Sequence, residues 1–311
     1  MNVFVSVIIP THNPHAERLG RTLKALKDQT HPVKNWELIL VDNASYPSVN
    51  IANFVDLIPN NLRLVVEPKL GLTAARRRGF AEARGEFIVL VDDDNELAPN
   101  YLAHVVAIFE NHPTVGSIGG IVLPEFEATP PQWMREFDGI LACRDYGSMP
   151  HITQGNQRSP KGLPEYPAYA PIGAGMAIRR QALQPWLDDT KADTLSDRRG
   201  KELTSGGDND IIFTLAENGW AVGYFPELSL KHLIAAGRTT TEYLGRLNHG
   251  IQKSWIHLLN KHNANPWSPI PAWSVHLRKA KAWLAYRAWT SQAAYVRWCG
   301  ACGHFEGRVH K

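Results

Sequence analysis

The sequence predicts an α/β fold: a mostly parallel central sheet flanked by helices, followed by a C-terminal helical extension. Three observations carry this expectation. Short β-branched runs alternate with helix-period segments through roughly the first 122 residues, the pattern of a sheet covered on both faces. One run, Phe87-Ile-Val-Leu-Val91, stops at three adjacent carboxylates, Asp92, Asp93 and Asp94. That is how a buried parallel strand ends at a ligand crevice. Finally, residues 243–305 hold eight Lys or Arg and no Asp or Glu, while the whole chain nets only +3. An acidic body therefore carries a basic tail.

Residues 3–9 form the first expected strand, ending at Pro10-Thr11-His12-Asn13, a polar turn at the strand's carboxyl end. Residues 17–29 read as a helix with Leu19, Leu23 and Leu26 on one face. A second strand, 36–41, runs into Asp42. Residues 51–58 are a short helix and 62–66 a third strand, ending at Glu67-Pro68-Lys69. Residues 71–84 form a helix bearing Arg76, Arg77 and Arg78, with Gly85 as its C-cap. The fourth strand is 87–91, Pro99 opens the next helix, and 115–122 is a further strand.

From Pro124 to Pro171 periodicity dissolves, and eight of the 21 prolines fall here. So long a segment is a functional loop region rather than a plain connection. Order resumes at 173–178. The acidic turn 205–210 leads into a helix over 211–218, and 220–225 and 228–232 read as two short strands. Beyond Thr239 the chain turns helical. Trp273, Leu277, Ala280, Leu284, Ala288, Ser291, Tyr295 and Trp298 follow three- and four-residue steps along one mostly apolar face. A basic, Trp-rich helix without acids fits an anionic membrane surface meeting residues 272–298, or equally a helix packed on the core or a second subunit.

At 44% apolar and 20% charged residues the chain is an ordinary globular protein, not a disordered one. Its three cysteines, an odd and sparse number, fit a reducing compartment. No run reaches the roughly 18 apolar residues of a membrane span, and the N-terminus shows no signal-peptide pattern. The expected location is cytoplasmic, peripheral at the inner face of the cytoplasmic membrane. No nucleic-acid partner is expected.

Strand-end polar clusters converge on one crevice in such a sheet. Oxygen-only ligands such as Asp92–Asp94 suit a hard cation, Mn²⁺ or Mg²⁺, shared with substrate phosphates. The alternative is an acidic turn capping the next helix. Asp42 can accept bonds from a base or ribose hydroxyl. The planar fork of Arg76 suits a phosphate, although three adjacent arginines on a helix cannot all face one ligand.

VSVIIPTHN, then ELILVDNAS, then GLTAARRRGFAEARGEFIVLVDDDNELAPNYL, in that order, resemble glycosyltransferase family 2. GGDNDIIFTLAENGWAVGYFPELSLKH resembles that family's catalytic-base segment, and the likeness covers roughly residues 3–255. The resemblance implies a GT-A fold and an inverting, metal-dependent enzyme using a nucleotide-sugar donor. It implies Asp208 as catalytic base, with Asp94 as main metal ligand, Asp92 on the ribose or metal side, and His232 near the metal or diphosphate. The expected donor-binding set is Pro10, Thr11, Asn13, Asp42, Lys69, Arg76, Asp92 and Asp93. Three positions depart from the family: Asn43 where Asp or Glu is frequent, Arg77 where Asn is, and Gly207 where Glu commonly precedes the base. The last leaves Asp208 and Asp210 as rivals; register with the following helix favours Asp208. Its alternative role is a helix N-cap.

The expected reaction moves a sugar from a nucleotide-diphosphate donor to a hydroxyl of a glycan or lipid-linked acceptor, in cell-surface or exopolysaccharide synthesis. A sugar hydroxyl needs a positioned base, worth roughly 10²–10⁴-fold, and the leaving diphosphate needs a cation. One rival is a sugar-phosphate nucleotidyltransferase, disfavoured because PTHNPH lacks a Gly-rich phosphate loop. The other is a non-catalytic glycan- or membrane-binding subunit. The expected organisation is a transferase domain over 1–238, with a donor half to about 122 and an acceptor half to about 238, then the extension 239–311. Cys299-Gly-Ala-Cys302 looks like a redox motif in the wrong context, because no strand precedes it, and His304 and His310 have unusual spacing for zinc.

Overall fold

The computed structural model describes residues 4–189 and 203–309. Residue 3, expected to start the first strand, and His310 lie outside the described residues. β1 (Val5–Thr11), β2 (Trp36–Asn43), β3 (Leu62–Glu67) and β4 (Phe87–Leu90) are parallel neighbours in the order β3-β2-β1-β4. β1, β2 and β4 are buried along their whole length, which explains their unbroken apolar sequences.

Alternate side chains of β1 serve opposite layers. Val5, Val7 and Ile9 join Leu19, Leu23 and Leu26 of α1 (Ala16–Lys27) and Leu102, Val105 and Phe109 of α3 (Tyr101–Asn111). Ile8 joins Ala75 and Phe80 of α2 (Leu72–Glu82), Trp186 of α4 (Arg180–Asp188) and Ile211 and Ile212 of α5 (Gly207–Glu217). The period-two alternation of a strand thus builds a helix–sheet–helix sandwich.

Past β4 the sheet becomes mixed. β8 (Ala177–Arg179) is antiparallel to both β4 and β6 (Val115–Phe126). β9 (Ala221–Ile234) runs parallel to β6, and β5 (Asn95–Leu97) and β7 (His151–Thr153) are antiparallel to β9. β9 is one continuous strand where two short ones were expected. Its irregularity is absorbed opposite Gly120, where a Cβ would stand 2.0 Å from the Leu228 carbonyl oxygen. Only glycine fits there.

Three local expectations shift. The 51–58 helix is a 3₁₀ turn, Ile51–Phe54. α2 ends on Ala83, so Gly85 is not its C-cap. Gly85 instead lets the chain pass β1, since a Cβ there would meet the Ser6 amide nitrogen at 2.5 Å. Pro99 precedes Asn100, the N-cap of α3, rather than opening the helix. Within the 124–171 region the chain forms a 3₁₀ helix, Gln132–Leu141, and β7.

The tail is three helices, α6 (Thr241–Lys261), α7 (Ser274–Ala285) and α8 (Gln292–Gly307), not one continuous face. Arg287, at φ 50°, breaks the run, and Ser291 caps α8 by accepting from the Ala294 amide. α8 packs tightly on α6: a Cβ on Gly303 would lie 2.0 Å from the His249 carbonyl oxygen. The glycines around Cys299 and Cys302 therefore serve helix packing, and neither cysteine forms a disulfide. Leu244, Leu247 and Val296 pack on Met134, Phe137 and Leu141, fixing the tail to the loop region. The expected apolar face divides. Ala288 is buried, whereas Trp273 (74%), Leu277 (66%) and Leu284 (65%) are exposed. No helix among the described residues is long and apolar enough to cross a membrane.

Candidate active site

A cavity of about 410 Å³ opens at the carboxyl ends of β1, β2 and β4. From the expected set its wall includes Pro10, Thr11, Arg76, Asp92, Asp93, Asp94, Asp208 and His232. Asp94 and Asp208 thus face one space from distant parts of the chain. Asn13, Asp42 and Lys69 are not in that wall. The two carboxylate oxygens of Asp42 accept from the amides of Ser45 (3.1 Å) and Val49 (2.9 Å). The side chain of Asn13 accepts from the Tyr46 amide at 2.8 Å. Lys69 is exposed on its loop.

Asn43, a departure from the family, lines the cavity instead. Its amide nitrogen donates to the carbonyls of Glu67 (3.0 Å) and Lys69 (2.8 Å), and its oxygen accepts from the Gly71 amide (2.8 Å). A carboxylate cannot donate, so this β2-to-α2 clasp requires an amide. The three arginines of α2 separate as the helix geometry demands. Arg76 is 4% exposed and lines the cavity. Arg77 donates to the carbonyl of Asp189 (3.0 Å) and stacks over Trp186 (4.6 Å). Arg78 pairs with Glu82 at 2.9 Å on the surface.

The acidic triplet is organised by the pairing of β5 with β9, which sets His232 opposite Asn95. Asp94 Oδ2 consequently lies 3.4 Å from His232 Nε2. Beside both stands Arg238, which the sequence reading missed. Its Nη1 donates to Asp94 Oδ2 (2.9 Å) and lies 3.1 Å from His232 Nε2. Burial opposes the Arg238 charge most, but Asp94, Tyr243 and Asp92 together outweigh it and hold the pKa above the ordinary arginine value. Asn95 donates to Asp94 Oδ1 at 3.2 Å, and Thr11 donates to Asp93 Oδ2. Burial first, then the neighbouring Asp94 charge, push the Asp93 carboxyl up to about 7, against the Thr11 hydroxyl that holds it down.

Among the described residues no three His, Cys, Asp or Glu side chains close into a metal cage. A hard divalent ion that takes most of its ligands from diphosphate and water needs only one or two protein groups. The carboxylate of Asp94 and the imidazole of His232 fit that requirement.

Asp208, also in the cavity wall, sits in the first turn of α5, where a negative charge is favoured. Its Oδ2 accepts from the Gly173 amide at 2.8 Å and its Oδ1 from the Asn209 amide at 3.0 Å. Gly173 fills the space between Arg76 and Asp208. A Cβ there would stand 2.6 Å from Arg76 Nη2 and 3.3 Å from Asp208 Oδ2. Asp210, the rival base, is 1% exposed and is not in the cavity wall. It accepts from Trp186 Nε1, Lys261 Nζ and His262, each at 2.8 Å. Burial pushes its carboxyl up, but these partners, His262 foremost, outweigh burial and hold the pKa below the usual aspartate value.

Arg238, Asn43 and Gly173 carry no local sequence signal. Each matters through a contact with a distant segment.

Residues 6–186 match the family described as Glycosyl transferase family 2. The chain is 22% identical over 245 residues to glucosyl-dolichyl phosphate glucuronosyltransferase of Haloferax volcanii, covering 77% of this chain and 72% of that one. It is 31% identical over 122 residues to undecaprenyl-phosphate 4-deoxy-4-formamido-L-arabinose transferase of Shewanella sediminis, covering 37% and 36%. Its structure resembles the mannosyltransferase PcManGT of Pyrobaculum calidifontis, solved with GDP-Man and Mn²⁺, at a TM-score of 0.58 and 17% identity over 98% of this chain and 88% of that one. That likeness shows a shared GT-A fold.

Proposed function

Because the chain belongs to glycosyl transferase family 2, we propose that it is an inverting, metal-dependent transferase that moves a sugar from a nucleotide diphosphate to a hydroxyl of a lipid-linked or glycan acceptor. The observation that carries this reading is the shared cavity, whose lining brings Asp94, His232 and Asp208 from distant parts of the chain to one space. Back-side displacement needs these two functions on opposite sides of the sugar ring.

Residues 1–238 act as the transferase unit, donor side to about 122 and acceptor side beyond, and 239–311 as an extension. Pro10 and Thr11 bound the nucleoside side of the donor. Asp42 and Asn13 hold the 43–49 turn beside it, with Lys69 at the rim. Arg76 meets the diphosphate, for which its planar fork is suited. Asp92 and Asp93 border the ribose, and Asp93 keeps Thr11 in place through their hydrogen bond. Asp94 and His232 would hold Mn²⁺ or Mg²⁺, which as a Lewis acid stabilises charge on the leaving diphosphate. Asp208 Oδ takes the proton of the acceptor hydroxyl. The amides of Gly173 and Asn209 orient that carboxylate before the acceptor arrives.

The relatives named for dolichyl and undecaprenyl phosphate support an acceptor or carrier at a cytoplasmic membrane surface. There the exposed Trp273, Leu277 and Leu284 would meet lipid. Thermal-shift screening of nucleoside diphosphates with and without Mn²⁺ tests the donor side, since ligand binding to the folded state raises its stability. A nucleotide that stabilises only with the metal is expected. No stabilisation by any nucleoside diphosphate overturns the reading.

A further inference from the structure

A second cavity, of about 870 Å³, lies between α6, α8 and the strip Leu203–Ser205. Arg246, His249 and Lys253 of α6 and Lys279 of α7 line it, with Tyr295 and Trp298 of α8. Glu306 faces three of the nitrogen donors: Lys279 Nζ at 2.7 Å, His249 Nε2 at 3.1 Å and Lys253 Nζ at 3.4 Å. Burial pushes the Glu306 carboxyl up, but the bonds from Lys279 and His249 outweigh it and hold the pKa down at about 2. Glu306 itself is not in the wall; it gathers Lys279, Lys253 and His249, whose side chains are.

Two further observations orient this cavity. Ser205 belongs to its wall and to that of the catalytic cavity, three residues before Asp208. Lys279 belongs to α7, the helix whose Leu277 and Leu284 are exposed.

Resting on the transferase reading, we propose that this second cavity binds the phosphate of a lipid-linked acceptor. The phosphate bonds Lys253 and Lys279, its sugar passes Ser205 toward Asp208, and its hydrocarbon leaves along α7. A phosphate offers more acceptor oxygens than Glu306 to the same donors, and charge-assisted bonds of this kind are the stronger ones. Glu306 holds the donors together until the phosphate replaces it.

The test is isothermal titration of the full chain with dodecyl phosphate, inorganic phosphate and dodecyl maltoside. Dodecyl phosphate is expected to bind saturably and to weaken at least about tenfold in the Lys253→Gln/Lys279→Gln variant, the loss of roughly one charge-assisted bond. Glu306→Gln removes the competing carboxylate and is expected to tighten binding. Unchanged affinity in both variants overturns the proposal, as does dodecyl maltoside binding as tightly as dodecyl phosphate. Inorganic phosphate binding as tightly as dodecyl phosphate overturns the lipid as its source. Nucleoside diphosphate with Mn²⁺ is expected to bind these variants as it binds the unaltered chain. If the unaltered chain binds dodecyl phosphate but no nucleotide, the transferase reading fails rather than the phosphate site.

Discussion

Asp208 and Asp210 are two residues apart, yet their substitution by asparagine is expected to have opposite consequences. Asp210 is 1% exposed and is the common acceptor of Trp186, Lys261 and His262. Asp210→Asn leaves the lysine and the imidazole without the carboxylate that neutralises them. Breaking a buried ion pair costs about 3–5 kcal/mol. Lys261 keeps Asp189 at 2.9 Å and His262 keeps Glu217 at 2.8 Å, which places the loss near the lower end, about 3 kcal/mol. At about 2–4 °C per kcal/mol for a large domain, Tm falls by roughly 6–12 °C. Below that temperature the variant should still transfer sugar.

Asp208 accepts two main-chain hydrogen bonds at the edge of a cavity. The asparagine oxygen can keep one of them, so Asp208→Asn should cost about 1 kcal/mol. Transfer should fall by about 10²–10⁴-fold, because the amide cannot take the acceptor proton. Differential scanning calorimetry and chromatographic measurement of released nucleoside diphosphate, run on both variants, separate the outcomes. The reasoning is refuted if Asp208→Asn keeps its turnover within tenfold, or if Asp210→Asn melts with the unaltered protein.

The same buried cluster predicts the pH dependence of stability. Asp210 is held below its ordinary pKa, so its contribution is complete above about pH 4 and is lost as pH falls through the lowered value. For His262, burial lowers the pKa, but hydrogen bonds to Asp210 and then Glu217 raise it overall. Its contribution is complete below about pH 6.5 and is lost as pH rises through the raised value. Chemical denaturation across pH should therefore show this cluster's contribution greatest between about pH 4 and 6.5, with a smaller change in Asp210→Asn. Arg238→Gln removes the cation that bonds Asp94 and lies against His232. Mn²⁺ affinity of the nucleotide-free protein, read by electron paramagnetic resonance of the unbound ion, should rise; a fall would mean that Arg238 supports the ion. Trp273→Ser/Leu277→Ser should lower co-sedimentation with anionic phosphatidylglycerol vesicles but leave the melting temperature within about 2 °C, because both side chains are exposed. Equal sedimentation would remove α7 from the membrane.

Much of the architecture was legible because strand and helix signals are local. The runs ending at Thr11, Asn43 and Leu90 are short, apolar and buried, and their order alone indicated a layered α/β sheet. β5 and β8 were missed because each spans three residues, too few for any periodicity. The single strand β9 was read as two because Pro226 and Glu227 interrupt its apolar pattern, while the bulge opposite Gly120 that keeps it in the sheet belongs to another strand. The tail's apolar stripe was visible, but its division at Arg287 was not, since a left-handed backbone at arginine has no compositional mark.

The site divides along the same line. Composition and motif order determined by themselves that acids stand at the end of β4 and that the family is a glycosyltransferase one; the acidic turn over 205–210 was expected to precede a helix over 211–218, whereas α5 starts at Gly207, with Gly206 as N-cap, and takes Asp208 into its first turn. Tertiary structure alone decided which carboxylate faces the cavity and which anchors α5 to Lys261 and His262. It also brought Arg238 against Asp94 across 144 residues. The physical reason is that backbone propensity and burial act on neighbours along the chain, whereas charge pairing depends on distance in space. Only the register of β5 on β9 supplies that distance.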